Sequence, residues 1–158
     1  MPKPWWPKAE ALEAVGLSEE AMSQENVEIV RAAYDAWNAG EMDALSDLYD
    51  PDAVVRSPEG WPEQATAVGR EAVMRGWQQF RETWDADAVE AITVIEVGDR
   101  VAVRSNWHGT GHGPEANFEM TMVYTVRKGR IFYLESFWDH EEALETLGLS
   151  EQDAHASS

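Results

Sequence analysis

The 158-residue sequence has no cysteine, which at once excludes a disulfide framework, a thiolate metal site and a thiol nucleophile. Cations are scarce, 12 lysines and arginines against 30 aspartates and glutamates, for a formal net charge of −18. Such a charge repels a phosphate backbone and an anionic bilayer, so neither nucleic acid nor a membrane surface is an expected partner. Long apolar runs are lacking too. No stretch approaches the roughly 18 residues of a spanning helix. The first eight residues are broken by Pro2, Pro4 and Pro7, where a signal peptide needs an uninterrupted apolar core. The expected location is the cytoplasm. The length suits one well-cored domain with tails and is short for two.

What the chain has in excess is tryptophan, eight residues of a type that is large, flat and able to donate one hydrogen bond. Over residues 26–39, Val27, Val30, Tyr34 and Trp37 recur at helical spacing, with Ser23 placed to cap the start and Gly40 to stop it. A short helix over residues 41–49 buries Met42, Leu45 and Leu48 and ends where Asp50-Pro51-Asp52 forbids continuation. A strand over 52–57 follows, then an irregular loop over 58–68 holding Trp61. A third helix over 69–84 carries Val73, Trp77, Phe80 and Trp84 on one stripe. Strands over 89–97, 100–108, 117–126 and 130–138 are joined by Gly98-Asp99, a glycine-rich connection and Lys128-Gly129, and read as an antiparallel meander. Asp139 and Glu142 have capping-box spacing for a last helix that Gly148 closes.

One internal copy is plain. Residues 10–19 read EALEAVGLSE and residues 142–151 read EALETLGLSE, identical at eight of ten positions. The copy is too local to build a repeat fold. Residues 1–21 are therefore expected to be an appended helical segment, residues 22–150 the domain, and residues 151–158 a polar tail.

The fold class this implies is α+β, three N-terminal helices on one face of a curved antiparallel sheet with short terminal helices. Twist and bulges open such a sheet into a cone that the helices do not fill, which leaves a ligand site. Its expected lining is Tyr34 and Trp37 of the first helix, Ser57 and Trp61 after the first strand, and Trp77 of the third helix. Ser105, Trp107, Met120, Met122, Tyr124 and Trp138 join them by strand alternation. The opposite parity, Arg104, Tyr133, Glu135 and Phe137, is expected on the outer face, where exposed aromatics suggest a homodimer. Aromatic and methionine stripes at these spacings are also what an ordinary core shows.

The stretches SQENVEIVRAAYDAWNAGEMDALSDLYDPDAVV, GREAV, GDRVAVR, YTVRKGRI and EALETLGL resemble SnoaL-like members of the nuclear-transport-factor-2 (ketosteroid isomerase-like) superfamily, over residues 22 to about 150. The resemblance implies the cone fold. It does not imply one reaction, because the superfamily includes isomerases, polyketide cyclases, epoxide hydrolases, dehydratases and non-catalytic binders. In the isomerase pattern the catalytic base would fall on Ser57, the oxyanion tyrosine on Ala33 and the protonated aspartate on Met122, so that machinery is absent. Tyr34 is left as a displaced donor. In the epoxide-hydrolase pattern Arg104-Ser105-Asn106 is the nearest match, and Asn106 cannot act as an acid.

The acid–base pair that remains is His108 with Glu119, brought nearly opposite each other if the hairpin folds about its glycine-rich turn. Strand alternation sends both outward, where a solvated ion pair is the alternative. His108 and His112, four apart in a turn, do not converge on a metal, and neither metal nor cofactor is expected. Two functions stand open. One is a cofactor-independent isomerase, cyclase, lyase or hydrolase acting on a small apolar molecule, polycyclic or of terpenoid or polyketide type. The other is a non-catalytic small-molecule-binding or dimerisation module.

If the first 21 residues dock on the domain as the repeat suggests, their deletion lowers the melting temperature. An unchanged melting temperature in differential scanning calorimetry would contradict docking.

Overall fold

The computed structural model describes residues 20–60, 66–111 and 113–149. The expected appended segment, apart from its last two residues, lies outside them, as do Trp61, His112 and the tail. The elements in chain order are α1 (Glu20–Ala39), α2 (Met42–Asp47), β1 (Tyr49–Arg56), β2 (Thr66–Val68), α3 (Arg70–Glu82), β3 (Trp84–Val97), β4 (Arg100–Gly111), β5 (Gly113–Arg127), β6 (Arg130–Phe137) and α4 (His140–Thr146). No described helix is long and apolar enough to cross a membrane.

α1 buries Val27, Val30, Tyr34 and Trp37 on one stripe, as their spacing predicts. It begins earlier than expected, so Ser23 lies within the helix and not at its start. Its end does follow the expectation. Gly40 takes a φ of 75°, and the N–H groups of Gly40 and Glu41 bond the carbonyls of Trp37 and Ala36 at 3.1 and 2.9 Å. These are the paired bonds of a Schellman stop, which an L side chain at Gly40 would strain. Asn38 then reaches across to β3, donating to Val89 O and accepting from Val89 N, both at 2.9 Å. That side chain pairs backbone groups on the free edge of the outermost strand.

The six strands form one sheet in the order β2-β1-β6-β5-β4-β3. β3 to β6 make the expected meander, but β1 joins it through a parallel pairing with β6, Val55 opposite Leu134. The loop expected over residues 58–68 contains β2, which returns antiparallel on β1. Trp84, expected on the α3 stripe, instead opens β3, because the helix ends at Glu82. Its ring lies over Gly109, where an added Cβ would stand 2.6 Å from the indole. The glycine there is required by that close approach.

The main core lies between α1, α3 and the concave face, and centres on residues such as Val30, Val103, Met122 and Leu134. A second cluster lies on the convex face, where Ala143 and Leu147 cover Ala102, Val123 and Phe137. Phe137 is therefore not an exposed aromatic: α4 covers it, and Asp139 caps that helix by accepting from Glu141 N at 3.0 Å. The rest of the expected outer row is also engaged, Arg104 by Glu119 at 2.9 Å and Tyr133 by Glu135 at 3.4 Å. The sequence-level picture of a bare aromatic face failed because it placed the last helix without a surface to cover.

Leu144 is fully buried in this small helix. Leu144→Ala should lower stability by roughly 2–4 kcal/mol. Urea denaturation should show this as a lower midpoint with an unchanged slope.

Candidate functional site

α3 crosses the concave face with one stripe turned inward, and between that stripe and the sheet lies a cavity of about 120 Å³. Val73, Trp77 and Phe80 form one wall, and Trp107, Met120, Met122 and Ser136 of the meander form the other. Val55, Ser57, Pro58 and Ala67 close one side. Arg75 and Gln79, both exposed, mark where it meets solvent. An apolar cavity of about 150 Å³ accepts benzene, so this space is on the scale of one small ring. That is less than the polycyclic skeleton the sequence reading allowed.

Gly76 contributes to this space by what it lacks. A Cβ built on it meets nothing within 4 Å. Glycine inside a helix costs roughly 1 kcal/mol relative to alanine, so a glycine here is unfavourable for the helix and keeps the cavity open.

Trp107 stands at the centre of the aromatic wall. It stacks on Phe118 at 6.2 Å and on Trp77 at 6.3 Å, and meets Trp37 and Phe80 edge-on at 5.7 and 5.3 Å. Such pairs each add roughly 0.5–1.5 kcal/mol beyond burial. The wall is held by Asp87. Its Oδ2 accepts from Trp37 Nε1 at 2.6 Å and from Trp107 Nε1 at 3.1 Å, while Arg81 Nη2 lies 4.0 Å from Oδ1. The Asp87 side chain is 2% exposed.

Behind Trp77, Trp107 and Met122 lies a second, smaller void of about 20 Å³, lined by Tyr34, Trp37, Tyr49 and Tyr124 among others. Tyr34 Oη and Ser105 Oγ are 2.5 Å apart, and Tyr34 and Tyr124 both donate to Met122 Sδ, at 3.6 and 3.7 Å. Trp77 Nε1 donates to Tyr49 Oη at 3.1 Å. Burial pushes the Tyr34 phenol up to about 12, and its hydrogen bond with Ser105 only partly opposes that. Burial raises the Tyr49 and Tyr124 phenols as well. All three phenols are neutral at physiological pH.

Of the side chains expected to line one cone, Ser57, Trp77, Trp107, Met120 and Met122 line the larger cavity, and Tyr34, Trp37 and Tyr124 line the smaller. Ser105 is buried beneath Tyr34. Trp138 shares the inner parity but sits at the rim, 47% exposed, with its indole N–H on Glu59 O at 2.9 Å. His108 and Glu119 are not brought together. The register sets His108 opposite Asn117 and Glu119 opposite Asn106. His108 lies 3.2 Å from Glu115, and Glu119 pairs with Arg104, all on the convex side. Alternation without a parity-reversing bulge between residues 100 and 109 is the reason.

Sequence reasoning missed Asp87, Gly76, Phe80, Phe118 and Ser136 as site residues. Asp87 escaped because the strand was started at Val89. Gly76 carried a signal, a glycine in the middle of an amphipathic helix. Among the described residues no histidine or carboxylate lines either space, and no cluster of three metal-ligating side chains is present.

A cone of helices on this sheet is the architecture of the nuclear-transport-factor-2-like, or ketosteroid isomerase-like, class. Within it, residues 30–134 match the SnoaL-like domain model, and the chain belongs to that family. No curated protein matches it significantly. Among solved structures it is similar to TerC crystallised with polyporic acid, at 22% identity over 78% of this chain and 97% of that one, TM-score 0.66. It is similar to a polyketide-cyclase candidate from Sinorhizobium meliloti, at 30% identity over 69% and 93%, TM-score 0.58. It is similar also to an NTF2-like protein from Burkholderia pseudomallei, at 21% identity over 79% and 98%, TM-score 0.65.

Removing the shared acceptor orphans two buried indole donors. Asp87→Ala should lower stability by roughly 2–4 kcal/mol. It should also move the Trp37 and Trp107 indole N–H resonances upfield in a proton–nitrogen correlation spectrum, and Asp87→Asn, whose amide oxygen still accepts, should recover part of both.

Proposed function

We propose that this chain binds a small, single-ring apolar molecule in the cavity beneath α3. The observation that supports this most directly is the cavity's composition: aromatic and thioether walls, a few hydroxyl and amide groups, and no histidine or carboxylate among the described lining residues. A concave, mostly apolar space with a few polar groups is the ordinary form of a ligand site. Gly76 supports the same reading, since an alanine there would favour the helix and reduce the space.

A second reading, favoured by the 30% identity to the polyketide-cyclase candidate, has the chamber act on its occupant. Tyr34 would then serve as a neutral hydrogen-bond donor reached past Met122. Catalysis by His108 and Glu119 would need a substrate on the convex side, and no cavity described above lies there.

Benzyl alcohol is a suitable probe. Titrated into the protein, it should shift the indole resonances of Trp77 and Trp107 saturably. Gly76→Leu should abolish that shift while leaving the melting temperature equal or higher, because leucine is the better helix former. A shift that persists unchanged in Gly76→Leu, or no shift with benzyl alcohol, benzoate or benzylamine, would refute binding in this cavity.

A further inference from the structure

α3 carries three arginines, and two of them are engaged. Arg70 donates twice to Tyr49 O, at 3.0 and 2.7 Å. Arg81 donates to Trp37 O at 2.8 Å and stands beside Asp87. Arg75 is different. It makes no hydrogen bond or ion pair with any described residue, and Glu71, one turn back on the same helix, does not reach it. Its side chain lies at the cavity opening and also borders two shallow hollows on the neighbouring surface.

The surroundings make this cation informative. The chain holds 30 acidic residues against 12 basic ones, yet among the described residues the cavity lining includes one arginine and no carboxylate. In a protein with this net charge, the surface as a whole repels anions. An unpaired guanidinium beside an apolar chamber offers a planar fork of donors to a carboxylate, with the ring of the same molecule buried behind it. Gln79, whose amide makes no bond to a described residue, stands one turn further on at the same opening.

Resting on the binding function proposed above, we infer that the occupant is a small ring-bearing carboxylate, its ring in the cavity lined by Trp77, Trp107 and Met120 and its anionic end at Arg75. The ligand class is thus an aromatic or alicyclic acid. The corresponding alcohol keeps the ring but forgoes the ionic contact, and the amine brings a like charge to Arg75, so both bind more weakly.

Three probes of nearly equal size decide this: benzoate, benzyl alcohol and benzylamine, titrated by calorimetry or by indole resonance shifts at fixed ionic strength. In the unaltered protein benzoate should bind tightest and benzylamine weakest. Arg75→Gln should weaken benzoate about ten-fold, the low end for a charge-assisted bond at a solvent-facing site. Benzyl alcohol should change less than two-fold, and Arg75→Lys should restore only part of the benzoate affinity, since lysine lacks the planar fork. Benzoate affinity unchanged in Arg75→Gln, or benzyl alcohol or benzylamine bound more tightly than benzoate, would overturn the carboxylate assignment while leaving the cavity-binding function standing. No binding of any of the three would overturn both.

Discussion

The interior depends on one buried carboxylate. Asp87 accepts from the indoles of Trp37 on α1 and Trp107 on β4, with Arg81 of α3 alongside. Four elements meet at that side chain. A carboxylate this buried is tolerated only where donors surround it, and each donor is satisfied in turn only if the carboxylate stays. The arrangement fixes two large rings whose torsions would otherwise be free to rearrange in a loosely filled cone. Trp107, so fixed, then orients Trp77, Phe80 and Phe118 around it.

The cavity follows from that constraint together with the helix above it. α3 spans the opening of the concave face, and its glycine leaves space where a larger residue would have closed the core. Met122 and Trp77 divide the space from a smaller void in which three tyrosine hydroxyls are satisfied by Ser105, Met122 and Trp77. Burial keeps those phenols protonated, so they supply no base. The chamber's described side chains thus present apolar surface and neutral hydroxyl groups, with no titrating base among them.

The convex face is shaped by α4. Ala143 and Leu147 close a second small core over Ala102, Val123 and Phe137. What remains outside is lined by paired charges such as Arg104 with Glu119. His108 and Glu119, the acid–base pair the sequence offered, lie on that side, away from the aromatic chamber that holds Tyr34.

Helical stripes, turn residues and strand alternation are local, and they are legible along the chain: α1 with its Gly40 stop, the meander with its Gly98-Asp99 and Lys128-Gly129 turns, and the inward parity of Trp107, Met120 and Met122. Local pattern assigns a face but not a depth. Whether Trp138 ends in the core or at the rim, whether His108 meets Glu119 or Glu115, and whether β1 pairs parallel to β6 depend on register and on which element covers which face. Asp87 shows the limit most clearly. Nothing in its neighbours along the chain marks it, since its partners lie 50 and 20 residues away. Only the assembled cone brings two indoles to one oxygen, because hydrogen-bond satisfaction in a core is a property of three-dimensional proximity.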